Sequence, residues 1–387
     1  MTVRLEPDTT TTVFSLHIDT SRNWTGGSNQ VMYTVMGLRA RRERAALVAH
    51  PEGELFRRMS EGTDLIPLAP DHEIDLGSAW RLSRVIRQLK PDLIHAHDPF
   101  AVTMAATALS ITEPTPKPVL VASRRIEFRL KHSSFSRWTY AQVDGFIANS
   151  RVISDRLVTD GVPRGKITIV NEGVDVERIV RLEPANVRAA FYLPTQAPII
   201  GNVAALVPHK GQHSLIDAAA ITVRQVPDAR FVIVGDGELR PALEEHIRHK
   251  HLERHVFLAG FRDDALELTK GFDVFAMSST SEGMCTALVD AMAASKAAVA
   301  TDAGAIPEVM VDGETGFLVP VRDHQAIAAR IVQLLKSPKL RARMGEAALE
   351  RARDKFTVDR MVEGTQAVYE SLVARVGAAF RRRSEIS

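Results

Sequence analysis

Twice along this chain, short runs of β-branched and apolar residues alternate with longer amphipathic stretches. Such alternation commits a chain to parallel sheets whose two faces are covered by helices. The first series offers strand candidates at 13–18, 45–49, 92–97, 119–123, 145–148 and 167–170, with helical candidates at 29–42, 76–90 and 151–160 between them. The second restarts at 198–203 and continues through 230–234, 255–259, 273–277, 297–300 and 317–319, with helices at 212–226, 239–251 and 286–294. Between the two series, 175–198 is charged, carries Pro184, Pro194 and Pro198 and offers no strand, so a hinge is expected there. A last helix is expected over 358–376, followed by the basic run Arg381, Arg382 and Arg383. Two parallel α/β domains joined by a linker imply a cleft, and ligands of such sheets sit outside the carboxyl ends of the strands. The loops that follow strands are where chemistry is expected.

The length of 387 residues agrees with two domains. Its 49 Lys and Arg against 47 Asp and Glu leave a formal charge of +2, too balanced for a protein that coats nucleic acid. One cysteine, Cys285, forms neither an internal disulfide nor a cysteine-based zinc site, so a cytoplasmic location is expected. Met1 to Thr12 has no apolar core like that of a signal peptide, and no uninterrupted apolar run is long enough to span a bilayer. Any membrane contact is expected to be peripheral. The dinucleotide, P-loop, G-x-S-x-G and H-E-x-x-H fingerprints are all absent, which weakens dehydrogenase, ATPase, esterase and zinc-protease readings. His95 and His97 share one strand face but lack an evident third ligand, so no metal site is expected.

The informative segment is 278–320. A buried strand empties into a small polar loop, Ser278 to Gly283, which leads into a helix opening near Thr286. The free N–H groups of a helix's first turn bind anions, helped by the macrodipole, and a diphosphate fits such a site. Glu282 stands just before the helix, where it would accept hydrogen bonds from sugar hydroxyls. Asp290 lies one turn in, on the face of Thr286 and Ala287, suited to a ribose diol. The same acids would also suit a plain helix start as surface charges.

Here the sequence resembles the GT-B glycosyltransferases of the type called family 4 or group 1. Their hallmark is an acid, seven residues and a second acid, followed by a glycine-rich turn, Pro-Glu and an Asp-Gly-x-x-Gly-Phe-Leu-Val run. This chain gives Ser279, Glu282, Gly283, Asp290, Ala291, Met292 and Ala293, then Gly304, Pro307, Glu308, Asp312, Gly313, Gly316, Phe317, Leu318 and Val319. Gly26-Gly27, Asn149-Ser150, Gly173-Val174-Asp175 and Lys210-Gly211 extend the likeness over nearly the whole chain. The resemblance implies two Rossmann-like domains facing across a cleft, 1–180 and 181–357, with a C-terminal helix near 358–387 crossing back to the first. It implies a nucleotide-sugar donor held by Gly26 and Gly27, Lys210, Gly237, Phe261, Arg262, Glu282, Gly283, Met284, Thr286, Ala287, Leu288 and Asp290. Glu282, Lys210 and His97 carry the implied catalytic roles, with Asp98 an alternative to His97 beside the transferred sugar.

The implied reaction is a retaining, front-face transfer in which the departing diphosphate takes the acceptor's proton, with no enzyme nucleophile, cofactor or obligatory metal. Several positions depart from the family pattern. Ala205 stands five residues before Lys210, where an arginine is common, so a replacement cation is expected from Arg124, Arg125 or Arg262. Arg124 or Arg125 stands where a histidine is often found, Asp290 replaces the second Glu, Cys285 replaces a proline, and Asn171-Glu172-Gly173 replaces a commoner Asn-Gly. Arg124, Arg125, Arg129, Lys131 and Arg137, interleaved with Phe128, Phe135 and Trp138, suit an anionic glycan or glycolipid acceptor and a membrane surface. Alternatives are a degenerate nucleotide-sugar-binding scaffold and another GT-B enzyme such as an epimerase. Oligomeric state is not legible.

Overall fold

The computed structural model of the chain describes residues 13–61, 64–72, 74–114, 116–125 and 133–384, the last eight of these by backbone alone. Every strand pairing is parallel. The first sheet contains β1 (Phe14–Asp19), β2 (Arg44–Ala49), β3 (Asp64–Pro67), β4 (Leu93–Ala96), β5 (Val119–Arg124), β6 (Gly145–Ala148) and β7 (Ile167–Ile169). Its spatial order is β3-β2-β1-β4-β5-β6-β7. The second contains β8 (Ile199–Val203), β9 (Arg230–Val234), β10 (Val256–Gly260), β11 (Val274–Met277), β12 (Ala298–Thr301) and β13 (Gly316–Val319), in the order β10-β9-β8-β11-β12-β13.

In both sheets the order reverses beside the first strand, between β1 and β4 and again between β8 and β11. At such a switch point the two flanking connections run to opposite faces of the sheet, and a crevice opens at the carboxyl edge. The loops after β1, β4, β8 and β11 therefore line the cleft. Central strands read as near-continuous apolar runs because helices cover both faces; Leu16, Ile18, Ile94, Phe275 and Ala276 are wholly buried.

The C-terminal helix, Val358–Ser384, starts after the second sheet and packs on the first. Gly37 makes that approach possible, since a methyl group there would lie 2.4 Å from Val362. Tyr369 reaches through to His95 beneath the sheet.

Three elements differ from the sequence expectation. Strand β3 is a short, half-exposed edge ending at Pro67, with no β-branched run to announce it. The helix Pro99–Thr112 is apolar nearly all round, because it is buried against its neighbours, and so shows no amphipathic stripe. The segment 175–198 carries no strand but does hold two short helices, Val176–Arg181 and Val187–Ala190.

Candidate active site at the cleft

The loop after β11 is fixed by three sets of bonds. Thr301 Oγ1 donates to the Ser279 carbonyl at 2.6 Å, the Ala305 amide donates to the Glu282 carbonyl at 3.0 Å, and Thr280 N donates to His209 O at 2.7 Å. Gly304 backs it in the left-handed region at φ 53°, and a methyl group there would lie 2.1 Å from the Glu282 carbonyl oxygen. Only glycine serves at such a place. Lys210 ends the short turn Pro208–Lys210, and Ser278 Oγ donates to its carbonyl at 3.1 Å. Lysine and glutamate are thereby delivered to one point.

At that point Lys210 Nζ lies 2.6 Å from Glu282 Oε1, and Ser279 Oγ donates to the same oxygen at 2.6 Å. Glu282 is buried at 6 % exposure. Burial works against the Lys210 charge, but Glu282 beside it outweighs that and holds the ammonium pKa above its ordinary value. The helix Thr286–Ala293 opens immediately beyond, and its N-cap residue, Cys285, makes no side-chain capping bond. Its first-turn N–H groups can therefore serve a ligand.

Across the cleft a second helix, Gly26–Ala40, begins after β1, capped by Thr25. A methyl group on Gly26 would lie 3.3 Å from Thr286 Oγ1, so the two helix openings face each other at close range. The buried Gln30 ties the Gly26 helix to the segment after β7, donating to Gly173 O at 3.0 Å and accepting from Gly173 N at 3.1 Å. Glu308 of the second half accepts from Arg151 N and Val152 N at 2.9 and 3.1 Å, at the start of the helix Arg151–Thr159. Arg351 steadies the Glu308 segment through the carbonyls of Glu308 and Val309.

Asp290 is half-buried, and burial pushes its carboxyl up to about 7 while Arg178 of the inter-sheet segment pulls it down. Its charge also reaches Tyr33 of the Gly26 helix, whose phenol is raised mainly by its own burial. Met284 and Leu288 are core side chains, the latter wholly buried, so that Leu288 meets a ligand only through its backbone. Gly237 lies in the turn after β9 and Gly260 ends β10, and the two ends are tied by Gly235 N donating to Gly260 O at 2.8 Å. Phe261 is 60 % exposed, and Arg262 is bonded twice to Asp264 at 2.7 Å.

The first half contributes a polar chain beneath the cleft. Arg125 meets the His97 carbonyl at 3.1 Å, His97 Nδ1 at 3.2 Å and Glu172 Oε1 at 3.0 Å. His97 Nε2 lies 3.0 Å from His17 Nδ1, and His17 Nε2 lies 3.0 Å from Ser15 Oγ. An arginine only donates, so His97 Nδ1 must accept, its Nε2 carries the proton, and the same polarity passes to His17. Burial first, and the Arg125 charge in addition, pull His17 down to about 3; His97, also beside His95, lies well below the ordinary imidazole value. Both imidazoles are neutral. Asp98 caps the helix Pro99–Thr112 and braces Thr20, and burial with Asp19 nearby pushes it up to about 6.

Among the described residues, the nitrogens of His17, His95 and His97 are the one cluster spaced for a metal, within 4.8 Å of one another. Each ring already uses both nitrogens, His95 on Tyr369 Oη at 2.5 Å and Ser123 Oγ at 2.8 Å, so a metal would have to break that network. Of the basic and aromatic stretch, Phe128, Arg129 and Lys131 lie outside the described residues. Arg124 is buried at the end of β5, and the Phe135 and Trp138 rings pair at 5.6 Å. Glu172 and Glu308 received no individual role from sequence reasoning; the departure at Asn171-Glu172-Gly173 and the Pro-Glu motif were their only signals.

Two family models match the chain in tandem, Glycosyltransferase Family 4 over residues 24–178 and Glycosyl transferases group 1 over residues 185–351. The lipopolysaccharide core biosynthesis glycosyltransferase LpsE of Rhizobium meliloti is 26 % identical over 308 residues, 80 % of this chain and 81 % of that protein. The lipopolysaccharide core biosynthesis mannosyltransferase LpcC of Rhizobium leguminosarum is 29 % identical over 253 residues, 63 % and 69 % of the respective chains. Anabaena HepE, crystallised with UDP and glucose, superposes with a TM-score of 0.80 at 23 % identity, covering 93 % of this chain and all of that one. The fold is GT-B, and the chain is a glycosyltransferase. It belongs to the group 1 glycosyltransferases. Among the described residues no helix is long and apolar enough to cross a membrane.

Proposed function

We propose that this transferase moves a sugar from a nucleoside-diphosphate donor to an anionic glycan or glycolipid acceptor, with retention at the anomeric carbon and without an obligatory metal. The observation that carries the reading is the Thr286 opening, facing the Gly26 opening, with the Lys210–Glu282 pair at its side. Backbone N–H groups and one ammonium suit the oxygens of a diphosphate. Among the described residues Lys210 and Ser279 both bond Glu282 through Oε1, and a carboxylate has room for further donors such as the hydroxyls of the transferred sugar. Asp290 suits the ribose, and Gly237, Phe261 and Arg262 the base. The UDP and glucose bound by HepE support a nucleotide-sugar donor, and the lipopolysaccharide core relatives support a glycan or glycolipid acceptor.

In the proposed step the acceptor oxygen attacks the anomeric carbon from the face the diphosphate leaves. The bond to the distal phosphate breaks as the glycosidic bond forms, and the departing diphosphate takes the acceptor's proton. No protein nucleophile is required. The protein positions the two substrates and stabilises negative charge as it gathers on the leaving group. His97 then serves by orienting Arg125 rather than by moving a proton. Residues 126–138 are the proposed zone for an anionic acceptor and for peripheral membrane contact at the cytoplasmic face.

The test is product analysis. The anomeric proton of the product, followed by NMR, should keep the donor's configuration, turnover should survive EDTA, and Glu282→Ala should abolish it. Inversion, or activity restored only by a divalent ion, overturns the corresponding part of the reading.

A further inference from the structure

Two positions at which this chain departs from its family pattern lie 47 residues apart in sequence and meet in space. Arg125 is one of the two arginines, with Arg124, that stand where a histidine is often found, Glu172 interrupts the commoner Asn-Gly, and Arg125 Nε lies 3.0 Å from Glu172 Oε1. Glu172 is itself buried, and its amide is placed 3.1 Å from Met284 Sδ, on the loop that carries Glu282. The Arg125 stem lies against the opening of the Gly26 helix, since a methyl group on Gly27 would sit 3.8 Å from its Cδ. This arginine therefore occupies the strip where the first half, the inter-sheet segment and the Glu282 loop converge.

Its guanidinium is held from two sides. Glu172 takes Nε, while the carbonyl and Nδ1 of His97 take the two terminal nitrogens. A guanidinium has five N–H donors, which outnumber these contacts, and its plane is set by a chain of neutral imidazoles running back to Ser15. The other candidates for a replacement cation are less suited. Arg124 is buried on β5, and Arg262 is engaged by Asp264 on the outer loop. Ala205 is exposed and supplies no charge. Lys210 already faces the carboxylate of Glu282, so a diphosphate arriving at the Thr286 opening meets one cation that is partly neutralised.

We propose that Arg125, held in place by Glu172 and His97, binds the distal, sugar-bearing phosphate of the donor, so that the first half supplies the cation that position 205 lacks. The proposal rests on the donor reading given above. Glu172 and His97 act as positioning residues. Because the arginine comes from the first half and its remaining ligand contacts from the second, full charge neutralisation of the leaving group requires both halves to be engaged at once.

The experiment is calorimetric titration of the full chain with UDP, GDP and ADP and, in parallel, with UMP, GMP and AMP. For the diphosphate that the wild type binds, Arg125→Gln should weaken affinity at least tenfold while leaving the matching monophosphate within twofold. Arg125→Lys should fall between. Since Arg125→Gln leaves Glu172 buried without its partner, the double variant Arg125→Gln/Glu172→Gln removes both charges together and should melt close to the wild type while keeping the diphosphate loss. A folded double variant that binds the diphosphate as tightly as the wild type overturns the proposal, even where its acceptor KM rises. Equal losses for mono- and diphosphate also overturn it, since they assign Arg125 to the proximal phosphate or nucleoside. A wild type that binds none of the diphosphates instead sinks the donor reading on which the proposal stands.

Discussion

Replacing Asp290 by asparagine should stabilise the protein while weakening donor binding. Burial raises the Asp290 carboxyl from 3.8 to about 7, with Arg178 only partly opposing it. Between those two values the native state holds a proton that the unfolded chain has released, so stability falls as pH rises through the window and stays low above it. Three units at about 1.36 kcal/mol each would give roughly 4 kcal/mol as a ceiling. The side chain is only half-buried, and water on the cleft side brings the figure nearer to about 2 kcal/mol. Asparagine mimics the protonated acid, so the two proteins should melt together near pH 4. The variant should then gain steadily, reaching a plateau of about 4–8 °C in Tm above pH 7.

The second limb of the experiment is donor affinity. Two ribose hydroxyls donate to an ionised carboxylate, so wild-type affinity for the nucleoside diphosphate should rise between pH 5.5 and 7.5 as Asp290 gives up its proton. The asparagine variant should bind about tenfold more weakly at pH 7.5 and lack this rise, a loss of about 1.4 kcal/mol. Scanning fluorimetry across pH and calorimetry at both ends suffice. A Tm difference independent of pH refutes the burial account. An asparagine variant that binds as well as wild type at pH 7.5 refutes the ribose role.

Other substitutions probe the neighbouring parts. Lys210→Met leaves the buried Glu282 carboxylate without its cation and should cost about 3 kcal/mol of stability. It should also lower kcat by about 100-fold, as loss of one charge-stabilising donor does elsewhere, measured by release of nucleoside diphosphate. Gly304→Ala forces a left-handed alanine against the Glu282 carbonyl and should destabilise by about 2–4 kcal/mol. An unchanged melting profile would mean that the Glu282 loop is not braced there. Glu308→Ala releases the two amides that begin the helix Arg151–Thr159 and should cost about 1 kcal/mol. Because that contact joins the halves, small-angle scattering should report a larger radius and the donor KM should rise with kcat little changed.

What was legible in the sequence follows from where the physics is local. The central strands declare themselves because parallel strands covered on both faces must be runs of apolar residues, whereas β3, a half-exposed edge, has no such requirement to meet; β7, also an exposed edge, is legible only through the β-branched run Ile167 to Val170. The Thr286 opening was readable because a polar loop, a helix start and two acids fall within one short segment. Glu172 and Glu308 were not readable as partners, since each acts on a group supplied by another part of the chain: Glu172 on Arg125, 47 residues away, and Glu308 on the Arg151 amide, 157 residues away. Contacts of this kind also bind two departures from a family pattern to each other in this chain. An arginine at 125 alone would sit against neutral imidazoles with no counter-charge, and a glutamate at 172 alone would be a buried carboxylate without a cation. Each isolated change costs more than the pair, so the two substitutions form one unit, and the motif that carries them can be read only after the fold has brought β5 to the inter-sheet segment.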